Sequence, residues 1–75
     1  MSVKMINEPQ LYCEDIFGNF TGIFKQGDCI RVKYNDGKIR EGSIDNIFSD
    51  SVELDTEDYG FIGISFNDIE EIEVW

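Results

Sequence analysis

The sequence predicts an all-β fold: a small five-stranded barrel over residues 27–75, preceded by an arm over residues 1–26 that packs on it. Three observations carry this reading. Apolar residues alternate with polar ones in short runs, as Ile30, Val32 and Tyr34 do with Arg31 and Lys33, which is the spacing of a half-buried strand. Glycine and aspartate punctuate the chain at Gly27, Asp36-Gly37 and Gly60, where turns belong. With 75 residues, 41% of them hydrophobic, the chain is too apolar to stay disordered despite a formal net charge of -10, and short enough for one core only.

The first barrel strand is the run through Ile30, Val32 and Tyr34, and Asp36-Gly37 closes it into a hairpin. A two-residue loop there pairs Tyr34 with Ile39 on the inside and sets Lys33 opposite Arg40 on the outside. That register puts Glu41 opposite buried Val32, so an extra residue is expected to bulge near Gly42, bringing Gly42 and Ile44 to the core face. The second strand then runs from about Lys38 to Phe48. After a turn at Ser49, Asp50 and Ser51, Val52 and Leu54 face inward on the third strand while Glu53 and Asp55 face out. The polar run Asp55 to Gly60 leads into a fourth strand, Phe61 to Phe66. Asn67 or Asp68 caps one helical turn, and Glu71 to Trp75 forms a fifth strand. The expected core is Ile30, Val32, Tyr34, Ile39, Ile44, Ile47, Val52, Leu54, Ile62, Ile64, Phe66, Ile69 and Ile72.

The arm admits two readings. Asn7 and Gln10 have capping-box spacing, Pro9 is tolerated in a first turn and Gly18 is a stop, which makes residues 8–17 a short helix. The rival is a hairpin turning at Gly18-Asn19, flanked by Phe17 and Phe20. Either way its apolar residues must cover an end of the barrel or another subunit.

Together the motifs Gly27-Asp28, Asp36-Gly37-Lys38, Gly42-x-Ile44, Val52-x-Leu54 and Ile64-x-Phe66-x-Asp68-Ile69-x-x-Ile72 resemble the small SH3-like barrels of the Sm-like superfamily, most nearly the short bacterial YolD-like type. The resemblance spans roughly residues 27–74. It implies a fold more than a role, and it leaves open assembly into a ring by pairing of the fourth and fifth strands of neighbouring copies. The basic or glycine-containing signature of RNA-binding Sm-like proteins is missing, because Phe66 to Glu71 stand where it belongs.

Charge divides the chain. Residues 25–40 hold Lys25, Arg31, Lys33, Lys38 and Arg40 against Asp28 and Asp36, whereas residues 41–75 hold eleven carboxylates and no Lys or Arg. A net charge of this sign repels nucleic acid at long range and favours basic partners. The expected function is therefore that of a non-catalytic interaction module, working by protein contact or self-assembly through strand edges and an acidic surface made of Asp55, Glu57, Asp58, Glu70, Glu71, Glu73 and Trp75. Its partner is a basic protein, such as one that itself binds nucleic acid. The alternative is nucleic-acid or anion binding through Arg31, Lys33, Lys38 and Arg40 in a ring oligomer, with the bland reading that these cations only pair with nearby carboxylates.

There is no His, which removes His-based catalysis and the usual zinc sites. Asp55, Glu57 and Gly60 imitate the start of a calcium loop, but Phe66 occupies the place of the bidentate Glu. No enzyme activity, metal or cofactor is expected. Met1 to Gln10 has no apolar leader run and no membrane-length apolar stretch follows, so the expected setting is the cytoplasm, with Cys13 and Cys29 reduced.

Overall fold

The computed structural model describes residues 2–6 and 10–75, and these are all β apart from turns. Strands β1 (Ser2–Ile6), β2 (Gln10–Glu14) and β3 (Phe20–Lys25) form an antiparallel sheet in that order. Strands β4 (Cys29–Tyr34), β5 (Ile39–Ile47), β6 (Ser51–Thr56), β7 (Gly60–Ser65) and β8 (Ile69–Val74) form a second sheet in the order β7-β6-β5-β4-β8. A 3₁₀ turn, Phe66–Asp68, carries the chain from β7 to β8, and the Ser65 side chain caps it by accepting from the Asn67 N–H.

Two expectations are corrected. The five-stranded sheet is open, because β8 pairs only with β4 and no ladder joins it to β7. It is not a closed barrel. The core is completed from the other sheet: Val3, Leu11, Cys13 and Phe24 are buried in one cluster with Ile30, Val32, Ile44, Val52, Leu54 and Ile64. Nor is there a helix among the described residues of the arm. Residues 10–14 are β2, whose Leu11 and Cys13 are fully buried while Gln10, Tyr12 and Glu14 are half-buried, so period-two burial between two partner strands prevails over a local capping signal. The proposed cap, Asn7 with Glu8 and Pro9, lies outside the described residues.

The hairpin alternative is the one the chain adopts, with a wider turn than Gly18-Asn19. The Asp15 N–H donates to the Asn19 carbonyl at 2.9 Å and the Gly18 N–H to the Asp15 carbonyl at 3.0 Å. The Asp15 carboxylate accepts from the N–H groups of Phe17 and Asn19, both at 2.9 Å, and Gly18 takes φ 80. Those bonds, first the one from Asn19, hold the Asp15 carboxyl below its ordinary range.

The β4-β5 loop is one residue longer than expected. The Tyr34 N–H donates to the Lys38 carbonyl at 2.8 Å and the Gly37 N–H to the Tyr34 carbonyl at 2.9 Å, with Gly37 at φ 91. This is the three-residue loop with a left-handed glycine that ends in its own bulge. The register therefore shifts by one: Lys33 faces Ile39, Val32 faces Arg40, Arg31 faces Glu41 and Ile30 faces Gly42. Ile39, an expected core residue, is 49% exposed. Gly42 reaches the core face without a bulge of its own. The second bulge sits at Asp45, between Ile44 and Asn46, and it lets Ile44 and Ile47, three residues apart, both point inward. The remaining expected core residues are buried or, at Tyr34, Ile62 and Phe66, packed half-buried against the cluster.

Candidate protein-interaction surface

The shifted register decides what the β4-β5 cations do. Arg31, opposite Glu41 on β5 and Glu73 on β8, donates to Glu41 through Nε at 3.0 Å and Nη2 at 2.8 Å, and to Glu73 through Nη1 at 3.2 Å. The Glu41 hydrogen bonds, then those of Glu73, raise the Arg31 guanidinium above its ordinary value. Lys33 lies 3.9 Å from Glu70 and Lys38 lies 3.7 Å from Asp36. The like-charge pair expected between Lys33 and Arg40 does not form, since those residues are not opposite one another. Arg40 lies instead over the Tyr59 ring, 4.4 Å from its centroid, and donates to the Ile39 carbonyl.

That cation-π contact escaped the sequence reading because the two residues are distant in the chain. The β6-β7 turn delivers the ring. The Thr56 hydroxyl, buried, accepts from the Tyr59 N–H at 3.0 Å and donates to the Gly60 carbonyl at 2.8 Å, while Gly60 takes φ 68. A Thr four residues before a glycine was the available signal for a fixed turn.

The acidic residues fall into two groups. Glu70, Glu71 and Glu73 line β8, where Glu70 and Glu73 meet Lys33 and Arg31. Asp55, Glu57 and Asp58 stand at the end of β6 and in the turn after it. No ion pair among the described residues reaches Asp55, Glu57, Asp58 or Glu71.

Trp75 joins the second group in space. Its N–H donates to the Cys29 carbonyl at 3.2 Å, which extends the β8-β4 ladder by one residue and brings the indole, 53% exposed, to a cleft of about 220 Å³ shared with Arg40, Glu57, Asp58 and Tyr59. The cleft thus has two exposed aromatic side chains and an acidic rim. With Arg40 already over the Tyr59 ring, a further cationic side chain with an apolar stem would be held there by the Glu57 and Asp58 carboxylates and the Trp75 indole.

Of the arm's apolar residues, expected to cover an end of the barrel or another subunit, Leu11 and Phe24 are buried in the core whereas Ile16, Phe17, Phe20 and Ile23 are exposed. Ile16 and Phe17 at the β2-β3 tip are each 81% exposed, and Phe20 and Ile23 follow on β3 at 57% and 47%. Phe20 packs on Tyr12 with ring centroids 5.4 Å apart. Cys13 is buried and Cys29 exposed, both as free thiols. Among the described residues, no group of three Cys, Asp or Glu side chains stands close enough to hold a metal ion, and no helix is long and apolar enough to cross a membrane. Comparison of the chain with family models, curated proteins and solved structures gives no match, so no family evidence accompanies the Sm-like and YolD-like resemblance.

Proposed function

We propose that this chain is a non-catalytic interaction module that binds a basic protein segment at the acidic, aromatic cleft formed by Glu57, Asp58, Tyr59 and Trp75, with Asp55 and the β8 carboxylates extending the attraction around it. The observation that carries the reading is the uneven use of charge. Every cation of the β4-β5 hairpin is engaged within the molecule, whereas Asp55, Glu57, Asp58 and Glu71 have no ionic partner among the described residues. The nucleic-acid alternative needs those same cations at the surface and free.

An Sm-like module working in the cytoplasm is part of the same proposal. Its supports are that the motif residues Gly42, Ile44, Val52, Leu54, Ile64, Ile69 and Ile72 lie in strands of the five-stranded sheet, with Asp36-Gly37 in the loop of its β4-β5 hairpin, and that both thiols are free. Self-assembly through strand edges is the second route, favoured by the open ends of that sheet at β7 and β8.

Titration calorimetry of the protein with an Arg- and Lys-rich peptide, over a range of salt, tests the reading. Binding is expected to weaken as salt rises and to fall at least tenfold in Glu57→Lys/Asp58→Lys, with a smaller loss in a Glu70, Glu71 and Glu73 charge reversal. Peptide capture unchanged by either reversal would sink it. Preferential binding of an RNA oligonucleotide, lost in Lys33→Ala/Arg40→Ala, would replace it with the alternative.

A further inference from the structure

The two ends of the five-stranded sheet are not equivalent. β8 carries three carboxylates in six residues, and it faces the N-terminal sheet across grooves lined by Thr21 and Glu71 at one end and by Ile23 and Val74 at the other. β1 lies against the 3₁₀ turn. β7, Gly-Phe-Ile-Gly-Ile-Ser, has no charged residue and no proline, which are the usual means of blocking an edge. In a chain of net charge -10, it is the neutral edge.

Its hydrogen-bonding capacity can be assigned. The Phe66 N–H donates to the Asp50 carbonyl at 2.9 Å, and the β6-β7 register runs without a shift from Ser51-Ser65 to Thr56-Gly60. Even-numbered residues of β7 therefore exchange bonds with β6, and the N–H and C=O groups of Phe61, Gly63 and Ser65 point to the free edge. Phe61 is 65% exposed, while a Cβ on Gly63 would meet nothing within 4 Å. A bulky ring and an empty site thus alternate on one face of one edge.

We infer that β7 pairs antiparallel with β7 of a second copy, about a twofold axis, in the register that seats each Phe61 beside the other copy's Gly63. This rests on the edge-assembly half of the proposed function and names the edge, the partner and the symmetry. Phe61 and Gly63 lie two apart, so one twofold operation about Ile62 places both rings over both glycines and satisfies the outward groups of Phe61 and Gly63 reciprocally. Repulsion across the middle of the strand pair is small. Asp55 and Glu53 stand opposite Phe61 and Gly63 on β6, so these strand carboxylates of the two copies are three strand spacings apart, about 14 Å, against a screening length of about 8 Å at physiological salt. Asp58 and Asp68, beyond the two ends of β7, add the repulsion that salt must screen. A single short strand pair, over residues 60–64 of each copy, buries less than a standard interface, so the dimer is weak and reversible.

Sedimentation equilibrium of the full chain, with reductant, from micromolar to millimolar protein and at low and high salt, tests this. The expected result is a monomer-dimer equilibrium that strengthens with salt, as screening relieves repulsion between like-charged copies. Gly63→Lys should weaken it at least tenfold by placing a charge at the centre of the pair. Gly63→Pro should do the same by removing one outward N–H that β6 does not use. Thermal unfolding and the near-ultraviolet spectrum of both variants should match the parent, and whichever variant folds carries the test. A protein that stays monomeric throughout, one that forms higher rings, or a dimer unaffected by either substitution would overturn the inference. Capture of the basic peptide weakens with salt and should survive Gly63→Lys, so the acidic-cleft reading and this one fail separately.

Discussion

The two sheets bury one side each in a common core, yet their outer faces differ. The five-stranded sheet turns Arg31, Glu41 and Glu73 outward in a connected ion-pair row, whereas the N-terminal sheet and its tip show Ile16, Phe17, Phe20 and Ile23. Along that row the sheet's charges neutralise one another. The N-terminal sheet is apolar on the outside because so small a chain spends its hydrophobic residues on both faces of a short sheet, and what matters for stability is whether its inner face is shared. Truncating one core residue in each sheet tests whether the inner face is shared. Leu11 and Leu54 are both fully buried, and each Leu→Ala change should cost about 3 kcal/mol, a large share of the roughly 4–11 kcal/mol that a chain of this size commands. Urea unfolding should show one transition, shifted by both variants. If Leu11→Ala leaves a transition of the other sheet in place, the two sheets do not fold as one unit.

Gly42 provides the next largest effect and ties β5 to β6. A Cβ there would stand 2.5 Å from the Asp55 carbonyl oxygen, a backbone atom that cannot swing away. Gly42→Ala should therefore destabilise by about 2 kcal/mol, while Gly63→Ala, in open space, should lie within about 0.5 kcal/mol of the parent. Equal melting temperatures for the two variants would show that the close approach is not a constraint.

These positions also mark where the sequence was readable. Strand alternation placed Ile30, Val32, Val52, Leu54 and Ile64 in the core because a period of two survives in any register. The pairing of β4 with β5 was lost by one residue, because Asp-Gly fits both a two-residue loop and the second and third positions of a three-residue one. A two-residue loop requires a compensating bulge near Gly42 in the β4-β5 pairing; the longer loop removes that need, and the bulge at Asp45 belongs to the β5-β6 ladder instead. The same slip made Ile39 a core residue and faced Lys33 with Arg40. Contacts that depend on distant turns, such as Arg40 over Tyr59, left no local pattern to read. The acidic residues of the cleft were identifiable by charge, whereas their grouping with Tyr59 required the fold.

The thiols give a smaller, pH-dependent contrast between the sheets. Burial pushes the Cys13 thiol on β2 up from 9.0 to about 11, because the interior disfavours the thiolate. With the folded value raised above the unfolded one, the contribution is complete below about pH 9 and is lost as pH rises toward 11, up to an order of about 2 kcal/mol. Stability measured from pH 8 to 11 should fall over that window and fall less in Cys13→Ala. In native protein a thiol reagent should modify Cys29, which is exposed, and reach Cys13 only on unfolding. Rapid modification of both thiols in native protein would mean that the N-terminal sheet opens readily.

The smallest expected effect concerns the ion-pair row itself. Arg31 joins β4 to both of its neighbours through Glu41 and Glu73, but its side chain is 43% exposed, and solvent screens pairs of this kind. Arg31→Ala should therefore leave the melting temperature close to that of the parent. Its larger consequence is electrostatic: Glu41 and Glu73 lose their cation, and the net charge falls from -10 to -11. If the acidic surface recruits a basic segment, this variant should bind the Arg- and Lys-rich peptide more tightly than the parent at low salt, with the difference vanishing at high salt. A substitution that weakens the fold slightly yet strengthens capture separates the two jobs of the charged face. Weaker capture in Arg31→Ala would mean that its ion pairs position the surface rather than merely neutralise it.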